Sequence, residues 1–266
     1  MNVLIGNTRV IEYKGIYIKY ELDNLTGSIK DRAALSFMEN FKDINKTFVC
    51  ATGGNFGISL SRLCKLNKQK LIVIMPKGND EKRKLIEKDG TVVLETSKEE
   101  GMKGTLKILK TYRLNKEYVY INQFTSLYNP LGYISLCKEI VKSFKHLDYV
   151  VLGIGSGGTF YTINRVLKKC YPKIKVIGVL PDKEEYIEGI GANILNHSSK
   201  IKNDIIYIKR KEAIEKTKEI NEDGIPVGIS SGACLKVSLD LKKEHPNSVI
   251  LMIAHDGIDR YRDIFE

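Results

Sequence analysis

Eight short apolar runs rich in β-branched residues recur along this chain, at 16–20, 48–51, 71–75, 91–95, 149–154, 176–180, 205–208 and 249–253. Amphipathic stretches of helical period lie between them, near 28–41, 56–66, 80–88, 98–112, 133–144, 160–170, 211–220 and 233–244. A chain that returns to its sheet through helices builds mostly parallel sheets with helices on both faces. The expected fold class is therefore α/β in three layers, and 266 residues are enough for two such lobes. No repeat, low-complexity tract or Pro/Gly-rich linker separates them. The natural division falls between Asn122 and Tyr133.

Charge and composition exclude several classes of function. Lys and Arg outnumber Asp and Glu by 43 to 32, but the lysines are scattered among acids on solvated helix faces, with no basic arm or RNA-binding signature, so no nucleic-acid partner is expected. The apolar runs fall far short of the roughly 18 residues of a membrane span. The opening MNVLIGNTRVIEYKG lacks the basic start, apolar core and cleavage site of a secretory signal, which gives cytoplasmic as the expected location. The five cysteines (Cys50, Cys64, Cys137, Cys170, Cys234) include no C-x-x-C pair, and the four histidines (His146, His197, His245, His255) show no metal spacing. No metal is expected.

Three glycine-bearing loops follow strands and open helices, the position at which open α/β sheets bind ligands. In CATGGNFGIS, Gly53 and Gly54 allow backbone N–H groups to approach a carboxylate or phosphate; an ordinary turn capped by Asn55 is the competing reading. In VVLGIGSGGTF, Gly155, Gly157 and Gly158 expose donors beside the Ser156 and Thr159 hydroxyls, which suits a phosphate. No P-loop lysine follows, which removes nucleotide hydrolysis. Gly153, Gly155 and Gly158 also satisfy G-x-G-x-x-G, so a nicotinamide dehydrogenase competes, although the fingerprint sits in mid-chain instead of opening the domain. VGISSGA, from Val227, again sets two small hydroxyls and a glycine before a helix, but by itself reads better as a serine N-cap.

NLTGSIKDRAAL supplies the reactive group. Ser28 and Asp31 form a capping-box pattern, which predicts a helix from 28 and places Lys30 in its first turn. The helix dipole disfavours an ammonium there by roughly 0.3–1 kcal/mol. A lysine so placed, facing a glycine-rich pocket, is biased toward the neutral amine that attacks a carbonyl. Neutral lysine plus a phosphate cup suggests pyridoxal phosphate.

These residues resemble the pyridoxal-phosphate enzymes of the tryptophan-synthase β-subunit fold (fold type II), within them the cysteine synthase and cystathionine β-synthase group. IGNT at Ile5, TGSIKDRAA at Thr26, ATGGNFGI at Ala51, GMKGTL at Gly101, NQF at Asn122, GIGSGGT at Gly153, EGIGA at Glu188, GISSGA at Gly228 and DRY at Asp259 occur in the family's order. The resemblance implies two lobes with pyridoxal 5'-phosphate bound between them: a smaller mobile lobe at 15–133, and a larger one from 1–14 and 134–266. It implies that Lys30 forms the internal aldimine and later removes the α-proton, and that Asn55 hydrogen-bonds the ring hydroxyl. Gly155, Ser156, Gly157, Gly158 and Thr159 would hold the phosphate; Thr52, Gly53, Gly54 and Gln123 the substrate α-carboxylate. The implied activity is β-replacement or β-elimination on cysteine or an O-activated serine through an aminoacrylate, with sulfide consumed or released. The implied partners are a small amino acid and a second copy of the chain. A serine/threonine deaminase on the same cofactor is the near alternative, and a catalytically inert, partner-binding homologue the far one.

The departures concern the substrate. Gly53 stands where the family has Ser, Phe56 where it has a small residue, and Arg9 where proline is common. The chain is shortened between Asp182 and Glu188. Asp256 falls where a serine commonly faces the pyridine nitrogen, with one extra residue before Arg260. An ionised Asp256 there would keep that nitrogen protonated.

Overall fold

A computed structural model describes residues 4–41, 45–191 and 204–265; His197 lies outside them. Among the described residues the strands, in chain order, are β1 (Val10–Tyr13), β2 (Ile16–Tyr20), β3 (Thr47–Ala51), β4 (Leu71–Pro76), β5 (Val92–Thr96), β6 (Tyr118–Ile121), β7 (Tyr149–Gly153), β8 (Lys175–Pro181), β9 (Ile205–Ile208) and β10 (Ile250–Ala254). The helices are α1 (Lys30–Asn40), α2 (Asn55–Leu66), α3 (Asp80–Glu87), α4 (Gly101–Thr111), α5 (Tyr128–Leu131), α6 (Ile134–Ser143), α7 (Gly158–Cys170), α8 (Arg210–Glu222), α9 (Ile229–Glu244) and α10 (Arg262–Phe265). None is long and apolar enough to cross a membrane. The eight strands expected from the apolar runs are all present. β1 and β6, both short, and the single turns α5 and α10 are additional.

Two compact units divide the chain, Met1–Ile29 with Tyr133–Glu266, and Lys30–Gly132. The smaller holds an all-parallel sheet in the order β5-β4-β3-β6. Alternation along its strands sorts the core between two faces. Val49, Ala51 and Ile74 pack with Leu109 of α4 on one face. On the other, Phe41, just past α1, meets Phe48 edge-on at 6.1 Å, and Gly57 of α2 lies over Val73, where an added Cβ would come within 3.5 Å of Cγ1. The chain leaves β3 for β4 and β5 on one side and returns to β6 on the other. The switch point of this sheet is therefore the carboxyl end of β3 and β6.

The larger unit holds six strands in the order β1-β2-β10-β7-β8-β9, parallel except for the β1–β2 pair. Every residue of β7 and β10 is buried, as expected for central strands covered on both faces. One core joins Ile16, Ile18, Val151, Val179 and Met252 to Ala213 and Ile220 of α8 and Ala233 and Val237 of α9. Here the order reverses between β7 and β10, so their carboxyl ends form the second switch point.

The boundary of the units differs from that expected at residue 15. β2 is hydrogen-bonded between β1 and β10, with Tyr17 opposite Leu251, so residues up to Ile29 pack with the larger unit. The helix after it also starts later than its capping-box pattern predicts. Ser28 makes a bridge with Asp256, and the Ile29 N–H donates to the His255 carbonyl at 2.8 Å. That extended backbone delays the first helical residue to Lys30.

Candidate functional site

In the smaller unit, the β3–β6 switch point gathers Thr52, Gly53, Gly54, Asn55 and Gln123. Thr52 is buried, and its Oγ1 accepts from the Gly54 N–H at 3.1 Å, folding the turn before α2. Gly54 has φ +156°, and the stem of Lys82 lies over it; a Cβ would sit 2.5 Å from Lys82 Cδ. Gly53 is exposed, with Met102 Sδ 3.7 Å from where its Cβ would be. Gln123 is buried beside the turn and donates from Nε2 to the Ala51 carbonyl at 3.3 Å, while Asn129 holds the Gln123 carbonyl at 2.6 Å. Asn55 is the first residue of α2, so the loop's glycines present backbone donors at a helix N-terminus, where an anion is favoured.

Phe56, conspicuous in sequence for its bulk, is 1% exposed and meets Phe37 of α1 edge-on at 5.5 Å. It belongs to the core of the unit and not to the loop's ligand side. Lys30 opens α1 and is half-buried; Ala33, Ala34, Phe37 and Met38 anchor the helix behind it. Lys82 lies in none of the sequence blocks, and Met102 only within GMKGTL. Both reach the loop from other helices, and no local pattern announces that.

The larger unit's switch point carries the second glycine loop. Gly157 has φ +84° and caps α7, a conformation that favours glycine. Gly155 passes so close to the turn after β8 that a Cβ would lie 2.7 Å from the Gly189 carbonyl oxygen. The first-turn N–H groups of α7, at Gly158, Thr159 and Phe160, have no acceptor within the helix, and Thr159 is buried at their start. Backbone donors on a narrow cradle that side chains would fill fit a phosphate. Gly153 plays a packing part, since a Cβ would strike Ile190.

Asp256 follows β10 and is 1% exposed. The Gly228 N–H donates to its carbonyl at 2.9 Å, and the Tyr261 hydroxyl to its Oδ2 at 2.6 Å. Burial first, and the Asp256 carboxylate next, push the Tyr261 phenol well above its ordinary value. The third loop is not capped by a serine: Gly228 is the N-cap of α9, and Ser230 and Ser231 lie within it, buried, with Ser231 Oγ accepting from the His255 N–H at 3.0 Å.

Comparison with known proteins bears on these loops together. A family profile described as pyridoxal-phosphate dependent enzyme matches residues 2–256. Cysteine synthase B of Campylobacter jejuni is 34% identical over 97% of this chain and 95% of its own. A hydrogen sulfide-producing enzyme from Fusobacterium nucleatum superposes with a TM-score of 0.91 at 31% identity, covering 97% of each chain. An O-acetylserine dependent cystathionine β-synthase from Helicobacter pylori gives 0.90 at 31% identity, over 98% of this chain and 95% of that one.

Proposed function

Because this chain belongs to the family of pyridoxal-phosphate dependent enzymes, we propose that it performs β-replacement or β-elimination on cysteine or an O-activated serine, with sulfide taken up or released. Full-length likeness to a cysteine synthase and to a sulfide-producing enzyme carries the reading. When bound, pyridoxal 5'-phosphate supplies the electron sink that makes the substrate's α-proton removable.

The family resemblance supports the following roles for this chain's own residues. The Lys30 amine would hold the cofactor at its aldehyde carbon and, as a free amine, would take the substrate's α-proton. Thr52, Gly53, Gly54 and Gln123 bind the substrate α-carboxylate: the first three fold a donor-bearing turn, and the buried Gln123 amide closes it. Asn55 orients the ring hydroxyl. Gly155, Ser156, Gly157, Gly158 and Thr159 hold the phosphate by backbone and hydroxyl donors. Asp256 would face the ring nitrogen. Likeness to cysteine synthases also supports a homodimer working in the cytoplasm.

Absorbance and product assays test the reading. The purified protein should be yellow, and Lys30→Ala should lose the lysine-linked absorbance band and turnover together. Sulfide release from cysteine should be measured beside cysteine formation from O-acetylserine and sulfide. Activity in neither direction, with cofactor bound, would refute the proposal.

A further inference from the structure

The segment after β10 holds a second feature. The 3-10 turn Ile258–Arg260, which contains the extra residue noted in the sequence, carries the chain back so that Tyr261 faces Asp256. Both are 1% exposed, and the phenol donates to Oδ2 at 2.6 Å. Room for the pair depends on Gly228, where a Cβ would collide with Asp256 Oδ1 and come within 2.5 Å of Tyr261 Cε2. Gly189 links the pair to the glycine loop: its Cβ would sit 3.8 Å from Tyr261 Oη, while its carbonyl borders Gly155. The pair therefore stands beside the phosphate cradle, within one unit.

An ionised carboxylate has no proton to give, so a phenol that keeps its own is the donor of the pair, and a donor on a carboxylate oxygen favours the ionised acid. A serine at the same place would carry no charge. Building on the cofactor reading above, we propose that Tyr261 is a positioning residue: its hydroxyl fixes Asp256 as an oriented carboxylate, and that charge keeps the cofactor's ring nitrogen protonated. Among the described residues, the charged groups that act on Tyr261 besides Asp256 include Arg260, next to it in the chain, and Glu188 from the turn after β8, while His255 precedes Asp256 and Asp259 pairs with Arg260. Glu188 is itself ion-paired with Arg210 at 2.5 Å. Gly228, the N-cap of α9 that lies against both side chains, is uncharged.

The test uses holoenzyme reconstituted with pyridoxal phosphate labelled with 15N at the ring nitrogen, followed by NMR against pH. In the parent protein the nitrogen should be protonated at neutral pH. Tyr261→Phe leaves the Asp256 carboxylate free to turn away, and losing about 1.4 kcal/mol of its attraction for the ring N–H would lower the nitrogen's deprotonation midpoint by roughly one pH unit. Asp256→Ser should give an unprotonated nitrogen at neutral pH. An unprotonated nitrogen in the parent, or a Tyr261→Phe midpoint equal to the parent's, overturns the proposal. The parent titration decides even if the Phe variant fails to fold. Sulfide and pyruvate release are assayed on the same samples: absent product with the expected nitrogen behaviour refutes the substrate reading and supports the role of Tyr261.

Discussion

Replacing Gly155 by alanine tests whether the loop before α7 is the phosphate cradle. The added Cβ would lie 2.7 Å from the Gly189 carbonyl oxygen, whereas ordinary contact begins at 3.4 Å, so two backbone segments must part by about 0.7 Å. Neither is a flexible side-chain tip that could swing aside. A donor displaced by that much leaves the 2.7–3.2 Å range of a good N–H···O bond, and losing one hydrogen bond to a charged group costs about 1.5–3 kcal/mol. Cofactor affinity should therefore fall roughly ten- to a hundredfold. Apoenzyme titrated with pyridoxal phosphate, followed by absorbance, gives the constant directly. Ile163→Val, in the buried core of α7, serves as the control: it should cost stability by roughly 0.5–1.5 kcal/mol while leaving the loop in place. A Gly155→Ala protein that binds cofactor within twofold of the parent, or no more weakly than Ile163→Val, would refute the reasoning.

Asn55→Ala should retain the cofactor but slow turnover by roughly ten- to thousandfold, the range for removing one positioned polar group, as steady-state kinetics would show. Phe56→Ala should destabilise the protein by roughly 3–5 kcal/mol, because the ring is core and not ligand-facing; denaturant melts measure this. Burial pushes the Cys64 thiol up to about 12 and raises Cys50 and Cys234 further. Iodoacetamide on the native protein near neutral pH should therefore label the exposed Cys170 and spare these three, by peptide mapping. Lys14 donates to Glu219, and Tyr13 and then Lys14 donate to Asp223, holding both carboxyls below their ordinary range. Depressed carboxylates stabilise the fold above their unfolded values and lose that contribution as pH falls through the folded ones. The stability gap between parent and Lys14→Met should thus be full near neutrality and shrink below about pH 4, in melts run across pH.

Much of the fold could be read from sequence because the central strands are buried on both faces. Continuous apolar runs such as 149–154 and 249–253 are difficult to place otherwise. β1 and β6 escaped because four residues with half-buried tyrosines or an exposed glutamate carry no comparable run. The unit boundary escaped for a different reason: that β2 pairs in parallel with β10, more than two hundred residues later, leaves no trace in local period. Lys30, Asn55 and the two glycine loops were visible as residue types at strand ends. Lys82 was not, since it reaches its loop through tertiary packing alone; Met102, Gly189 and Tyr261 stand within the GMKGTL, EGIGA and DRY blocks, but what each packs against is set by tertiary structure. Ser28 and Ser230 show the converse, local capping signals overridden by sheet bridging and by a helix that begins at its glycine.

The strand order has a consequence for synthesis. Residues 30–132 supply every strand of their own sheet from one uninterrupted stretch, so that unit can assemble while the remainder is still being made. The other sheet cannot close until β10 slots between β2 and β7. Until those last residues emerge from the ribosome, two apolar strand edges wait without their neighbour, and that interval is when a chaperone, or aggregation, has its opportunity.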